Sequence, residues 1–562
     1  MLRKVLVANR GEIAVRIVRA CRELGLASVA VYSEADADAP HVRLADEAWP
    51  CGPATARGSY LDAQGLLAIA RRAGADAVHP GYGFLSENGD FADACQAAGL
   101  VFVGPSGDVI RRMGDKVTSR RWMQQAGVPV VPGTPERLED EEFVARAREL
   151  GFPVMVKASA GGGGRGLRQA RDEDELAKAL ARARGEARSA FGDAGLYLEK
   201  ALAQPRHVEV QILADAGGRT LHLFERACSV QRRHQKLLEE APAPDLEPGL
   251  RAALGRAAVT AAEAVGYRGA GTVEFLLDPE GAFYFLEMNT RIQVEHPITE
   301  AITGVDLVQA QLRIAAGEPL DFAQEDLAVR GHAFEARIYA EDPLRGFLPS
   351  PGRLGVFRAP AGPGVRLDAG VEAGSLVTPH YDALLAKLVV VGVDRPLALA
   401  RLERALGEFA VTGVATTLPF HRRLLRHPGF REGRYDTGVA EQVLSADDAC
   451  EGGPERWERE LAPRAAGAAL LGRSGVLELE QGGRAQRVAV RAVDAGVFEV
   501  ALDAEAPQRL ELRKLGPGLF VVRDTQGRVR EVGVETRGQR TEVVLGGFAA
   551  RYAVAHGGDG ER

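Results

Sequence analysis

The chain has 562 residues, with 70 Lys+Arg against 77 Asp+Glu and a formal charge of −7, a balance that argues against a protein that coats nucleic acid or binds membranes through a polybasic face. Hydrophobic residues make up 46% and charged residues 26%, which is globular in texture, and no apolar run approaches the roughly 18 residues of a membrane span. At roughly 150 residues per domain, the length predicts about four folding units. Only eight of the basic residues are lysines, so each one marks a position to read for chemistry that an ammonium does and a guanidinium does not. The five cysteines are odd in number and widely spaced, with no Cys-x-x-Cys pair. That pattern disfavours a zinc ribbon or a disulfide framework and suits a reducing compartment. The first apolar run, Val5 to Ala8, is too short for a secretory signal, and a cytoplasmic location is expected.

In chain order, Val5 to Ala8 reads as a short buried strand. The helix after it carries Ile13, Ile17, Cys21 and Leu24 at near-helical spacing and is predicted to stop at Gly25. Then come a strand at Ser28 to Tyr32, a helix at Gln64 to Arg72, a strand at Ala75 to Val78, a helix at Phe91 to Ala98 and a strand at Val101 to Val103. This alternation predicts a doubly wound α/β domain on a parallel sheet. Ligands of such sheets sit beyond the strand C-terminal ends, where residues 9–12 and 79–84 fall; neither segment is a Gly-x-Gly-x-x-Gly fingerprint. From about Lys116 the texture turns to hairpins and mixed α+β, with turn-rich boundaries at 131–135 and 347–352. Residues 445–467, rich in Ala, Gly and charge, are expected to be a linker with one short helix. Beyond them, 475–480, 487–491, 520–523 and 542–545 read as short strands of a small antiparallel sandwich or barrel.

Four clusters carry chemistry. Lys157 ends a strand and leads into Gly161 to Gly164, Arg165 and Gly166, a run without side chains whose backbone N–H groups suit phosphate oxygens. Leu167 and Arg168 follow where a P-loop needs Lys and Ser/Thr, so Walker chemistry is excluded. Gly271 to Leu277 and Ala282 to Asn289 read as a hairpin. With an even-length loop Glu274 lies opposite Phe285, and Glu287 and Asn289 share its face as oxygen ligands suited to Mg²⁺; an odd-length loop puts the two glutamates on opposite faces. In an extended chain Arg291, Gln293 and Glu295 point to one side, the guanidinium suited to an oxyanion and the carboxylate to proton abstraction. Finally, Gln231 to Lys236 concentrates donors without acidic partners, as expected opposite phosphate or bicarbonate.

Together these motifs resemble the biotin carboxylase family of ATP-grasp enzymes. The likeness runs from Val5 to about Gln442 through Val-Ala-Asn-Arg-Gly-Glu-Ile-Ala at 7–14, His-Pro-Gly-Tyr-Gly-Phe-Leu-Ser-Glu-Asn at 79–88, the Gly-rich loop, Gln-Arg-Arg-His-Gln-Lys at 231–236 and Glu-Met-Asn-Thr-Arg-Ile-Gln-Val-Glu-His at 287–296. The resemblance implies an N-terminal doubly wound domain over 1–113, an ATP-grasp domain over 114–330 with a mobile lid near 132–202, and a C-terminal α+β part over 331–443. A linker at 444–467, an extra small antiparallel β module at 468–556 and a disordered tail at 557–562 complete the expected layout. It also implies the reaction, in which ATP and bicarbonate give carboxyphosphate, whose CO₂ is captured by N1 of biotin.

Matched by motif, Lys116, Lys157, Gly163, Gly164, Glu199, Lys200, Leu202, His207, His234, Glu274 and Glu287 look like ATP contacts, and Glu274, Glu287 and Asn289 like ligands of two Mg²⁺ or Mn²⁺ ions. The same resemblance gives Lys236, Arg291, Gln293, Val294 and Arg337 to bicarbonate, makes Glu295 the base, and gives Arg337 to the biotin enolate. Ala227 and Ala201 depart from the family pattern without removing a proposed catalytic group. None of the eight lysines has the Met neighbour of a biotin attachment site, so the expected partners are a separate biotin carboxyl carrier protein and a carboxyltransferase, in a homodimer or larger complex. The β module resembles, more weakly, the region of acyl-CoA carboxylase α-subunits that contacts the carboxyltransferase. A different ATP-grasp ligase and a non-catalytic scaffold are the competing readings.

Overall fold

Val5, Leu6 and Val7 are fully buried in β1 (Lys4–Val7), which shows why so short a run suffices: the strand is central and covered on both faces. Around it lie β2 (Ala27–Ser33), β3 (Glu47–Gly52), β4 (Ala77–His79) and β5 (Val101–Phe102), in the order β3-β2-β1-β4-β5, with every neighbouring pair parallel. The first helix, Gly11–Glu23, buries Ile13, Ile17 and Cys21 and ends as its spacing predicts. Gly25 takes a φ of 69°, and the Leu26 N–H closes the last turn on the Cys21 carbonyl at 2.8 Å. Strand β3 was not among the predicted elements, since Pro50 interrupts it; it lies at the sheet edge, where a missing N–H is tolerated.

The computed structural model describes residues 2–134, 138, 142–159, 167–191, 195–445, 454–481, 484–537, 540–545 and 548–555. The chain divides into two units, one of Met1–Ala336, Leu388–Leu399 and His427–Gln442, the other of Arg337–Lys387, Ala400–Arg426 and Val443–Arg562. In the first unit, β6 (Val154–Ala158), β7 (Leu167–Ala170) and β8 (Leu196–Lys200) form a small antiparallel sheet in the order β7-β6-β8, packed on the helices Phe143–Leu150 and Glu173–Phe191. Gly163 and Gly164, with the rest of the predicted Gly-rich loop, lie outside the described residues.

The larger sheet of this unit is antiparallel. It runs β13 (Phe283–Asn289), β12 (Gly269–Leu277), β9 (Arg206–Ala214), β10 (Thr220–Arg232), β11 (Gln235–Ala241) and β14 (His332–Tyr339, paired here through Ala336). One face packs Val208, Val210, Val273 and Phe275 on the helix Pro248–Ala264.

In the second unit, eight antiparallel strands from Gly475–Gln481 to Phe548–Ala555 close into a barrel, which settles the alternatives of sandwich and barrel. The segment expected as a linker with one short helix carries a longer one, Pro454–Leu471, and its Leu461, Ala462, Ala465, Ala466 and Ala468 share one apolar cluster with barrel residues such as Leu479, Val488 and Val500. Its alanine content, read as linker texture, is what lets a helix fit among the strands. The expected tail at 557–562 lies outside the described residues.

Candidate active site

The β12–β13 hairpin corrects the predicted register. Its loop is five residues long, which alone would place Glu274 and Glu287 on opposite faces. Phe275 pairs with Phe285, but a bulge intervenes and Glu274 then pairs with Glu287, so the extra residue, Leu286, restores the shared face. Glu274 is also directly opposite Glu209 on β9, and Glu209 opposite Arg226 on β10. Directly opposed side chains share a face. The result is a transverse row, Arg226, Glu209, Glu274 and Glu287, across four strands, carrying three carboxylates against one guanidinium.

Lys236, at the start of β11, meets this row. Its Nζ donates to Glu274 Oε1 at 2.9 Å, to Glu295 Oε1 at 2.7 Å and to Glu209 Oε2. The expectation that the 231–236 cluster has no acidic partner is therefore wrong for Lys236; its partners come from two other strands and from a helix N-cap, which local sequence does not reveal. Burial opposes charge on Lys236, yet Glu209, Glu274 and Glu295 hold its pKa well above the usual lysine value. Burial likewise opposes ionisation of Glu274, while Lys236 and His207 hold it well below the carboxylate range. Glu209 is raised by burial, with the charge on Glu295 adding to the effect against Arg226.

The segment after β13 forms a net around the same carboxylate. Asn289 Nδ2 donates to Glu274 Oε1 at 2.9 Å and Gln293 Nε2 to the same oxygen at 3.2 Å. Arg291 donates to Asn289 Oδ1 at 3.0 Å, to Gln293 Oε1 at 2.9 Å and to Glu87 Oε2 at 3.0 Å. Glu295 does not follow by strand alternation. Residues 294–295 turn, and Glu295 is the N-cap residue of the helix His296–Thr303, fully buried. Val294, beside it, is half-buried.

The remaining expected ATP contacts flank this centre. Lys116 opens the helix Lys116–Gln125, whose Asp115 cap accepts from the Thr118 N–H, and its Nζ lies 3.7 Å from Glu287 Oε2. Lys157 on β6 pairs with Glu199 on β8, which Arg120 also holds; burial opposes ionisation of Glu199, but the two cations keep its pKa below the ordinary value. Lys200 donates to the carbonyls of Gly151 at 2.8 Å and Phe152 at 3.1 Å, and Leu202 follows half-buried. His207 Nε2 is 2.9 Å from Glu274 Oε2, and His234 sits at a φ of 66° in the β10–β11 turn. Ala227 lies in the apolar cluster under the sheet, and Ala201 is buried at the end of β8.

Arg337 belongs to the second unit. It is buried on β14, with Nη1 donating to Tyr339 Oη at 3.3 Å, while its carbonyl accepts from Thr417 Oγ1 at 2.9 Å and lies 2.9 Å from His421 Nε2.

Sequence reasoning missed Glu209, Arg226, Arg120 and Glu87. His207, Glu209 and Gln211 alternate with apolar residues along β9, a period of two that flags one polar strand face. For Arg226, enclosed at 0% exposure, no local pattern gives a signal.

Three family models match in succession: the biotin carboxylase N-terminal domain over residues 1–110, the carbamoyl-phosphate synthase L chain ATP-binding domain over 115–323, and the biotin carboxylase C-terminal domain over 335–442. Biotin carboxylase 1 of Bacillus subtilis is 52% identical over 443 residues, covering 78% of this chain and 98% of that protein. Among solved structures, the biotin carboxylase domain dimer of Hydrogenobacter thermophilus 2-oxoglutarate carboxylase, in complex with MgADP, ADP and bicarbonate, superposes with a TM-score of 0.77 at 48% identity, covering 80% of this chain and all of that one. Biotin carboxylase from Campylobacter jejuni in a β-γ-ATP complex gives 0.77 at 44% identity, covering 79% and 99%. Sequence, fold and the two flanking domain models agree that the chain belongs to the biotin carboxylase family, ATP-grasp ligases that carboxylate biotin at the expense of ATP.

Proposed function

We propose that this ligase performs the first half-reaction of an acyl-CoA carboxylase, with bicarbonate as the carbon source, carboxyphosphate as the intermediate and biotin supplied on a separate carrier protein. The observation that carries it is the meeting of Lys236 with Glu209, Glu274 and Glu295, a buried cation between the row of carboxylates and the group that serves as base. Lys236, Arg291, Gln293, Val294 and Arg337 hold bicarbonate, Glu295 takes its proton, and Arg337 faces the biotin enolate. Lys116, Lys157, Gly163, Gly164, Glu199, Lys200, Leu202, His207 and His234 hold the nucleotide.

Glu274 and Glu287, directly opposed, with Asn289 two residues further on the same face, offer the all-oxygen donor set that fits Mg²⁺. When bound, the metal screens the phosphate charge against which an anionic nucleophile must move. The free thiols Cys21, Cys51, Cys95 and Cys228 suit a cytoplasmic setting, and no helix among the described residues is long and apolar enough to cross a membrane. The β-barrel is read as a surface for the carboxyltransferase, and the enzyme as a homodimer or part of a larger complex.

Purified protein given ATP, Mg²⁺, bicarbonate and free biotin should release phosphate in a biotin-dependent manner; release indifferent to biotin, alone or with a biotinylated carrier, would defeat the reading. The acyl-CoA assignment is tested by pull-down. A biotinylated protein and an acyl-CoA carboxyltransferase should be recovered, whereas a 2-oxoacid carboxyltransferase would overturn it.

A further inference from the structure

Arg226 has no role in the reaction as written above, yet it is a fully buried side chain at the centre of the site. Its Nε donates to Glu209 Oε1 at 2.5 Å, Nη1 to Gln211 Oε1 at 2.8 Å and to Thr299 Oγ1 at 2.9 Å, and Nη2 to Thr272 Oγ1 at 3.1 Å. One planar guanidinium thus spans β10, β9, β12 and the helix His296–Thr303, which begins at Glu295. Of the three carboxylates on Lys236, Glu274 is assigned to metal and Glu295 to proton abstraction. Glu209 alone is left to hold the ammonium throughout turnover, and Arg226 occupies its other oxygen.

We propose that Arg226 is a positioning residue for the carboxylation: it fixes Glu209, which aims the Lys236 ammonium at bicarbonate and at Glu295. A lysine at 226 keeps the charge but loses the fork that reaches four acceptors at once. The proposal rests on the assignment of Lys236 to bicarbonate, so K236M is measured alongside.

The test compares R226K, R226M, R226A and E209Q with the unsubstituted enzyme in steady-state kinetics for ATP and bicarbonate separately, with ATP affinity by calorimetry. R226M and E209Q should each lose on the order of 100-fold in kcat/KM for bicarbonate, the cost of a roughly 1 Å misplacement of a reacting group, while ATP affinity changes by less than about threefold. R226K should recover part of the loss, and added guanidinium should restore part of the activity of R226A without accelerating the unsubstituted enzyme. The double variant R226M/E209Q should lose no more than either single one. If R226M does not fold, the near-isosteric E209Q and R226K decide the matter. Unchanged bicarbonate kinetics in folded R226M or E209Q would overturn the proposal, as would an equal fall in ATP affinity and bicarbonate kinetics without guanidinium rescue. If K236M leaves the bicarbonate KM unchanged, the Lys236 assignment itself fails; if K236M raises it and R226M does not, only the positioning role fails.

Discussion

Four of the eight lysines were expected at the nucleotide and bicarbonate site, and their surroundings differ. Lys116, Lys157 and Lys236 each face a carboxylate from another element, whereas Lys200 donates its ammonium to the backbone carbonyls of Gly151 and Phe152. Substituting Lys200 should therefore loosen the junction before β6 as well as weaken ATP. Arg337→Ala is predicted to lower the rate of biotin carboxylation on the order of 100-fold while ATP affinity stays within about threefold, because the guanidinium is assigned to the biotin enolate rather than the nucleotide. Parallel loss in turnover and in calorimetric ATP binding would contradict that role. The residues that carry conspicuous motifs were legible in the sequence. Arg226 was not, because its four acceptors lie on three separate segments and a buried arginine leaves no local period.

At the level of elements, the register of the β12–β13 hairpin decides whether the candidate metal ligands face together. The sequence reading had the strands and the shared face right but reached it through an even loop, where the protein uses an odd loop and a bulge at Leu286. Turn length is hard to read from Asp278-Pro-Glu-Gly281, since a one-residue bulge offsets a one-residue change of loop. Deleting Leu286 removes the bulge and leaves Glu287 directly opposite Glu274, so the Mn²⁺ dissociation constant, read by electron paramagnetic resonance, should stay within about threefold; a rise of tenfold or more would show that the bulge itself, rather than the shared face, aligns the ligands. The barrel helix offers a second case. A Cβ on Gly467 would stand 2.5 Å from Val488 Cγ1, so Gly467→Val should destabilise the barrel by about 1–3 kcal/mol. With free biotin its ATPase turnover should match the parent enzyme, and a barrel melting midpoint that does not fall would refute the packing argument. The alternating strands of the barrel were partly legible, and so was a short helix in the expected linker, but not its length or its packing among the strands, because small residues that fit a crowded interior look like those of a flexible segment.

Over the whole molecule, buried imidazoles set the response to acid. Burial lowers His79 to about 3, His41 to about 4 and His421 to about 4. An unfolded chain protonates these side chains near pH 6.5, so below that value it binds more protons than the folded one. Stability should therefore fall steadily as pH drops from about 6.5 toward 4. Glu240 adds to the same limb: burial opposes its charge, but His332 and Arg395 hold its pKa below the usual value, and that contribution is lost as pH falls through the carboxylate range. Urea midpoints measured from pH 7.5 to 4.5 should decrease monotonically, and a flat profile between pH 6.5 and 5 would contradict the assignment. The second unit carries a further consequence of its architecture. Among the described residues, a strand cylinder closed on itself leaves no vacant backbone edge for a visiting strand, and its own helix packs its apolar side against the strand residues within. What the barrel presents outward is therefore side chains alone, charged pairs such as Arg491–Glu499 and Arg523–Glu511 interspersed with the exposed Val476, Val493, Leu515 and Val529.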